Sequence, residues 1–218
     1  MKFTRKKYRL LMAFFMLGLS LNAQQIDAGK LQNGDLLFSE PVSGRLSEAI
    51  DQVTQTHKQT HFSHVGMAIL ENDAVYVLHA SAEGGTCQVT LDQFLHPNGD
   101  STQVTVYRLK PAFQKAITPA IAKAKNLLGK PYNFSYVLSD TSHYCSEFIY
   151  RAFEEDSIFV LNPMTFKNPA TGTFSPAWVA HYEKLSMDIP EGLPGCNPNG
   201  MAASEKLERL GLLIRPTL

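Results

Sequence analysis

"SHVGMAILENDAVYVLHA" (residues 63–80) holds two β-rich runs split by a short polar turn. Ser63 to Leu70 and Ala74 to Ala80 are dense in Val, Ile, Leu and Tyr, and "END" between them supplies turn-forming types. The stretch therefore reads as an antiparallel hairpin. With the turn centred on Glu71 and Asn72, Leu70 pairs with Asp73, and paired residue numbers sum to 143. His64 and His79 have the same sum. The expectation is two imidazoles directly opposite on one sheet face, with Cβ atoms about 5 Å apart. Taken singly, a strand histidine is more often a satisfied core residue. Taken together, the two suit a base and the residue that orients it.

Further along, "HYCSEFIYRAF" (143–153) reads as a short amphipathic helix with Phe148, Ile149, Ala152 and Phe153 at helical spacing. Cys145 opens it. One reading makes Cys145 a small apolar residue at the start of the core stripe. The other makes it a nucleophile. Asp140 and Ser142 are both good N-cap types, which puts Cys145 in or near the first turn, where free N–H groups and the dipole lower a thiol pKa. The same N–H groups can hold the oxyanion of a tetrahedral intermediate.

The N-terminus bounds the compartment. Lys2, Arg5, Lys6, Lys7 and Arg9 precede an apolar run from Leu10 to Leu21, and "LNAQQ" offers a cleavage site after Ala23. Residues 1–23 are thus expected to be a signal peptide, an uncleaved anchor helix being the alternative, and the protein to be exported, periplasmic or secreted. No cysteine precedes Cys87, which excludes a lipoprotein anchor at this site. Residues 24–218 would form a single domain of 195 residues, enough for a substantial core. Removing the leader leaves 15 basic against 20 acidic residues, a balance of −5, which argues against nucleic-acid partners. No later segment is apolar enough for stable membrane insertion.

Elsewhere, "NGDLLF" (33–38), "TCQVT" (86–90) and "TQVTVYRL" (102–109) read as strands, with a helical turn from Leu91 to Leu95. Helices are expected over 43–55, over 111–129 with Pro119 as a kink or break, over 175–185 with Ser175 as N-cap, and from Ser204 to Leu212. "IPEGLPGCNPNG" (189–200) is rich in turn residues. Strands and helices without regular alternation indicate an α+β domain.

Of the seven histidines, His57, His61, His96 and His181 sit in loop-like or polar stretches, and His143, two residues before Cys145, is expected to point away from the sulfur. His57, His61, His64 and His79 with a cysteine could be drawn as a zinc site, but no cysteine pair anchors them. No metal and no cofactor are therefore expected. Cys87, Cys145 and Cys196 are an odd number of cysteines for an oxidising compartment. One hypothesis pairs Cys87 with Cys196 and leaves Cys145 free.

The motifs "GDLLF", "SHVGMAI", "YVLHAS", "LLGKPYNFSYVLSD" and "YCSEFIYRAF", in that order from Gly34 to Phe153, resemble the permuted, YiiX/YebB-like branch of the NlpC-type papain-like cysteine hydrolases. The family is distantly related to lecithin:retinol acyltransferase. The resemblance implies a circularly permuted papain-like fold, an antiparallel sheet packed against helices that include the nucleophile helix. It implies Cys145 as nucleophile, His64 as general base and then acid, and a polar third residue at position 79, where relatives carry a carboxylate and this chain has His79. Tyr132 and Tyr144 would line the site. The implied reaction is amide hydrolysis through a thiol acyl-enzyme, on a small peptide or amino-acid amide, for an exported member one derived from the cell wall. An acyltransferase or thioesterase acting on lipid-like acyl groups is the alternative, and a non-enzymatic binding protein a third.

Overall fold

The computed structural model describes residues 24–41 and 45–214. Its strands are β1 (Gln25–Asp27), β2 (Leu36–Ser39), β3 (His64–Glu71), β4 (Ala74–Ser81), β5 (Gly85–Thr90), β6 (Val104–Leu109), β7 (Asn162–Pro163), β8 (Pro194–Gly195) and β9 (Leu207–Ile214). Its α-helices are α1 (Arg45–Thr54), α2 (Leu91–Leu95), α3 (Ile117–Asn126), α4 (Cys145–Phe153), α5 (Pro176–Leu185) and α6 (Pro198–Ala202). Seven strands form one sheet in the order β1-β9-β6-β2-β3-β4-β5, and β7 pairs with β8 apart from it. The α+β class holds. The sheet is mixed rather than wholly antiparallel, because β1 runs parallel to β9 at one edge.

The β3–β4 hairpin forms, but in a different register. Glu71 pairs with Ala74 and Gly66 with His79. The turn residues are Asn72 and Asp73, both with positive φ, 50° and 61°. This is the two-residue geometry whose backbone twist matches that of the flanking strands, and Asn and Asp tolerate it. The turn sits one residue later than expected, so each partner shifts by two. An even shift keeps every side chain on its face. His64 and His79 become diagonal neighbours instead of direct partners.

Each sheet face buries its own core. Leu36, Phe38, Val65, Met67 and Leu78 pack against Ala120 and Ala124 of α3 and against Phe148, Ile149 and Phe153 of α4. On the other face Leu37, Ala68, Val77 and Val106 meet Leu91, Phe94 and Leu95 of α2. A satellite cluster joins Ala49 of α1 to Trp178 and Tyr182 of α5. Helix α5 starts as its sequence indicates, with Ser175 capping the Trp178 N–H and Pro176 at the first position.

Two helix expectations are corrected. The segment 204–212 is not helical, since Leu207–Ile214 is strand β9. Its ladder runs to β6 on one side and β1 on the other, partners that no local pattern announces. Gly211 has φ 137°, and a Cβ there would stand 2.0 Å from the Gln24 carbonyl oxygen, so only glycine lets β1 approach. In the 111–129 segment, a 3₁₀ turn over Pro111–Ala116 precedes α3. Pro119 falls in the first turn of α3, where its missing N–H removes no helical bond. The expected signal peptide lies outside the described residues. Among the described residues, no helix is long and apolar enough to cross a membrane.

Candidate active site

Cys145 is the first residue of α4, but neither Asp140 nor Ser142 caps the helix. The N-cap is Tyr144, extended at φ −85° and ψ 168°, and its side chain makes no capping bond. The N-cap side chain therefore leaves the N–H groups of the first turn uncovered. The segment before the helix is held by a parallel bridge between Tyr132 and His143, with Asn133 N–H donating to the His143 carbonyl at 3.2 Å. That bridge brings "GKPY" beside "HYC". The Cys145 N–H and the Tyr136 hydroxyl both act on the Tyr132 hydroxyl.

The sulfur lies against the main chain that carries His64. Cys145 Sγ contacts the Ser63 carbonyl oxygen at 4.0 Å, and the N–H groups of Ser146, Val65 and Cys145 itself are placed to hold a thiolate. Cys145 is 5% exposed and packs in the main core. Burial wins over those N–H groups and pushes the thiol up to about 11. The low thiol pKa expected from the helix terminus is thus reversed in the resting state.

His64 Nε2 lies 2.9 Å from His79 Nδ1. The diagonal contact is made possible by Gly66, the direct partner of His79, which has no side chain in the way. A Cβ on Gly66 would stand 2.5 Å from Val77 Cγ1 and 2.9 Å from Phe94 Cε2. Phe94 closes over both imidazoles, with ring centroids 5.7 Å from His64 and 5.3 Å from His79. Burial, and then the charge of His79, lowers His64 from 6.5 to about 3. Burial lowers His79 to about 4, against the opposing charge of Glu83. Thiol and imidazoles are all neutral at rest.

Two concavities meet here. One of about 250 Å³ is lined by Cys145, Tyr144, Met164, Phe166 and Trp178, and no charged side chain among the described residues lines it. The other, about 290 Å³, is lined by His64, His79, Glu40 and Glu83. Ile50, Ser63, Tyr132 and Tyr136 belong to both walls. The cysteine side and the histidine side of the cleft are therefore neighbours that share these four residues.

Tyr132 and Tyr144 line the cleft as expected. Tyr136 was not singled out by sequence, and its left-handed φ of 55° follows from no turn signature in "FSYVL". Asn199 was also missed. It is fully buried; its Oδ1 accepts from Phe62 N–H and Thr60 Oγ1, both at 2.9 Å, and its Nδ2 donates to Thr54 Oγ1 at 2.8 Å and the Phe62 carbonyl at 3.2 Å. The amide ties α1 and α6 to the segment that leads into His64. Asn199→Leu, which strands these groups, is expected to destabilise the fold by about 2–3 kcal/mol, lowering Tm by about 5–10 °C in thermal unfolding. An unchanged Tm would mean that the amide bonds hold nothing.

The three cysteines are free thiols, which overturns the Cys87–Cys196 pairing. Cys87 is half-buried on β5 opposite His79. Cys196 is buried against Tyr144, whose hydroxyl lies 3.7 Å from its sulfur and accepts its N–H at 3.2 Å. Burial pushes that thiol up to about 12. His143 is buried, with its Nδ1 3.4 Å from Glu147 Oε1.

A sheet with a cysteine helix laid on it, and a histidine strand preceding that helix in the chain, defines the class of permuted papain-like thiol proteins. The chain belongs to the family described as permuted papain-like amidase enzyme, YaeF/YiiX, C92 family, whose model matches residues 30–211. The chain is 32% identical over 124 residues to the uncharacterized protein YiiX of Escherichia coli strain K12, a match spanning 56% of this chain and 57% of that one. It is also similar to the crystal structure of metalloprotein yiiX from Escherichia coli O157:H7, with a TM-score of 0.64 at 26% identity, covering 82% of this chain and 95% of that one. That name raises a metal. Here His64 and His79 are bonded to each other, His61 Nδ1 lies 2.9 Å from Asp51, and among the described residues no three His, Cys, Asp or Glu side chains group to hold an ion. The described residues, so placed, do not assemble a metal site.

Proposed function

We propose that the protein hydrolyses an amide through a thioester on Cys145, with His64 as general base and acid and His79 as its orienting partner. The observation that carries this reading is Cys145 at the uncapped start of α4, against the main chain of residues 63–65. His64 takes the thiol proton and the sulfur attacks the carbonyl carbon. The oxyanion faces the Cys145 and Ser146 N–H groups. The C–N bond breaks as His64 returns the proton to the amine, and water, deprotonated by His64, releases the acid and restores the thiol.

The two walls of the cleft suggest the two halves of the substrate. The uncharged cavity beside Cys145 suits a neutral, apolar acyl group. Glu40 on the histidine side, with no lysine or arginine among the described residues lining that wall, suits a leaving amine. For an exported protein, peptides and amino-acid amides from the cell wall are the available class. The uncharged cavity also supports a second reading, transfer or hydrolysis of lipid-like acyl groups by the same thiol.

The test is turnover of a panel of neutral and anionic N-acyl amides beside matching thioesters. Amides with neutral acyl groups are expected to be cleaved, and anionic ones at least about tenfold more slowly, the cost of desolvating a charge. Thioesters consumed with every amide untouched would replace the first reading by the second.

A further inference from the structure

His79 is 7% exposed, and its Nε2 is buried with no hydrogen-bond partner. Such an atom in a native fold calls for an explanation. The tautomers can be assigned from the bond to His64. For His64 Nδ1 to take a proton from Cys145, its Nε2 must carry hydrogen and donate to His79 Nδ1. His79 then holds its own proton on Nε2, and that N–H is the orphan. When His64 becomes imidazolium, a neutral His79 orients it but adds no negative charge.

The groups around His79 are few. On β3 it faces Gly66 and, diagonally, His64. On β5 it faces Cys87, a thiol kept neutral by burial. From α2, Phe94 and Gln93 cover the cleft, and Glu40 lies beyond β2. Tyr132 and Tyr136 also line that cleft, and the further carboxylate among its described lining residues is Glu83, in the turn between β4 and β5, four residues after His79. Its side chain is exposed at rest, and the turn is fixed by Gly84 N–H donating to Ser81 Oγ at 3.0 Å.

We propose that Glu83 is a positioning residue that completes a Glu83–His79–His64 relay, placing a carboxylate beside the unpartnered Nε2–H of His79 when the imidazole pair gains a proton. The proton taken from Cys145 stays on His64, His79 keeps both its bond to His64 and its own Nε2–H, and Glu83 supplies the counter-charge. This rests on the assignment of His64 as base. A turn residue thereby provides what an imidazole at position 79 lacks.

The test compares wild type with Glu83→Gln, first by NMR titration of the His64 and His79 rings without substrate, then by the pH–rate profile. Removing the charge is expected to lower the ring pKa values by about half a unit or more, since a nearby negative charge favours the protonated form. With a cleaved amide, kcat should fall about 3- to 10-fold with KM within about twofold, and the acid limb should move to lower pH. In a His79→Glu background, where the charge adjoins His64 directly, Glu83→Gln should have no further effect. Unchanged ring titrations, or a rise in KM alone, would overturn the proposal, the latter making Glu83 a substrate contact. If His79→Glu does not fold, the ring titrations of Glu83→Gln decide alone. A ring shift without any amide turnover would leave the relay standing and remove the amidase reading.

Discussion

Replacing Cys145 with alanine is expected to lower turnover by roughly 10⁴-fold or more, the scale on which loss of a nucleophile acts, with thermal unfolding nearly unchanged. The sulfur is the group at the first turn of α4 and against residues 63–65, and it lines the cavity beside Tyr144 and Trp178. The pH dependence should betray its neutral resting state. Only thiolate is nucleophilic, and burial holds the Cys145 thiol up to about 11. Alkylation of Cys145 without substrate should therefore speed up about tenfold per pH unit through neutrality. A preformed thiolate–imidazolium pair would instead react at a nearly constant rate there. Turnover follows the other partner. His64 must be neutral to accept the proton, and burial lowers it to about 3, so activity should persist below pH 6.5 and fall only as pH nears the imidazole values of about 3 and 4. Activity lost in step with labelling at Cys87 or Cys196, mapped by mass spectrometry, would remove Cys145 from its role.

The second large effect is expected far from the cleft. Asp35, the acid of "GDLLF", is fully buried and takes a two-pronged bond from Arg108, Nε to Oδ1 and Nη2 to Oδ2, each 2.7 Å. Its Oδ2 also accepts the Gln32 N–H at 2.8 Å. The pair joins the turn before β2 to β6 in the middle of the sheet. Asp35→Ala takes away the buried carboxylate bonded to the half-buried Arg108 and leaves it the weaker charge of Glu208, a change that costs about 3–5 kcal/mol and about 10–15 °C in Tm. Neither residue lines the cleft. The folded fraction of the variant should accordingly keep its turnover per molecule, measured at a temperature below its transition. A loss below about 1 kcal/mol in urea unfolding would show that the pair does no more than an exposed one.

What the sequence determined by itself was whatever short-range chemistry decides. Alternating Val, Ile and Leu around Asn72 and Asp73 specify the β3–β4 hairpin, and because an even register shift preserves faces, His64 and His79 meet despite a misplaced turn. Ser175 and Pro176 start α5, and the spacing from Cys145 to Phe153 makes α4 amphipathic. Cysteine, histidine and the permuted order of motifs were legible for the same reason. Tertiary structure decided the rest. "LERLGLLI" suits a helix or a strand, and ladder bonds from β1 and β6 choose the strand. Tyr136 reaches the cleft, and Asn199 the segment before His64, through contacts with residues far away in the chain, such as Asn199 with Phe62. The resting protonation state also belongs to the fold. A helix terminus favours a thiolate locally, but desolvation by side chains gathered from the whole chain outweighs it, and only their packing sets that balance.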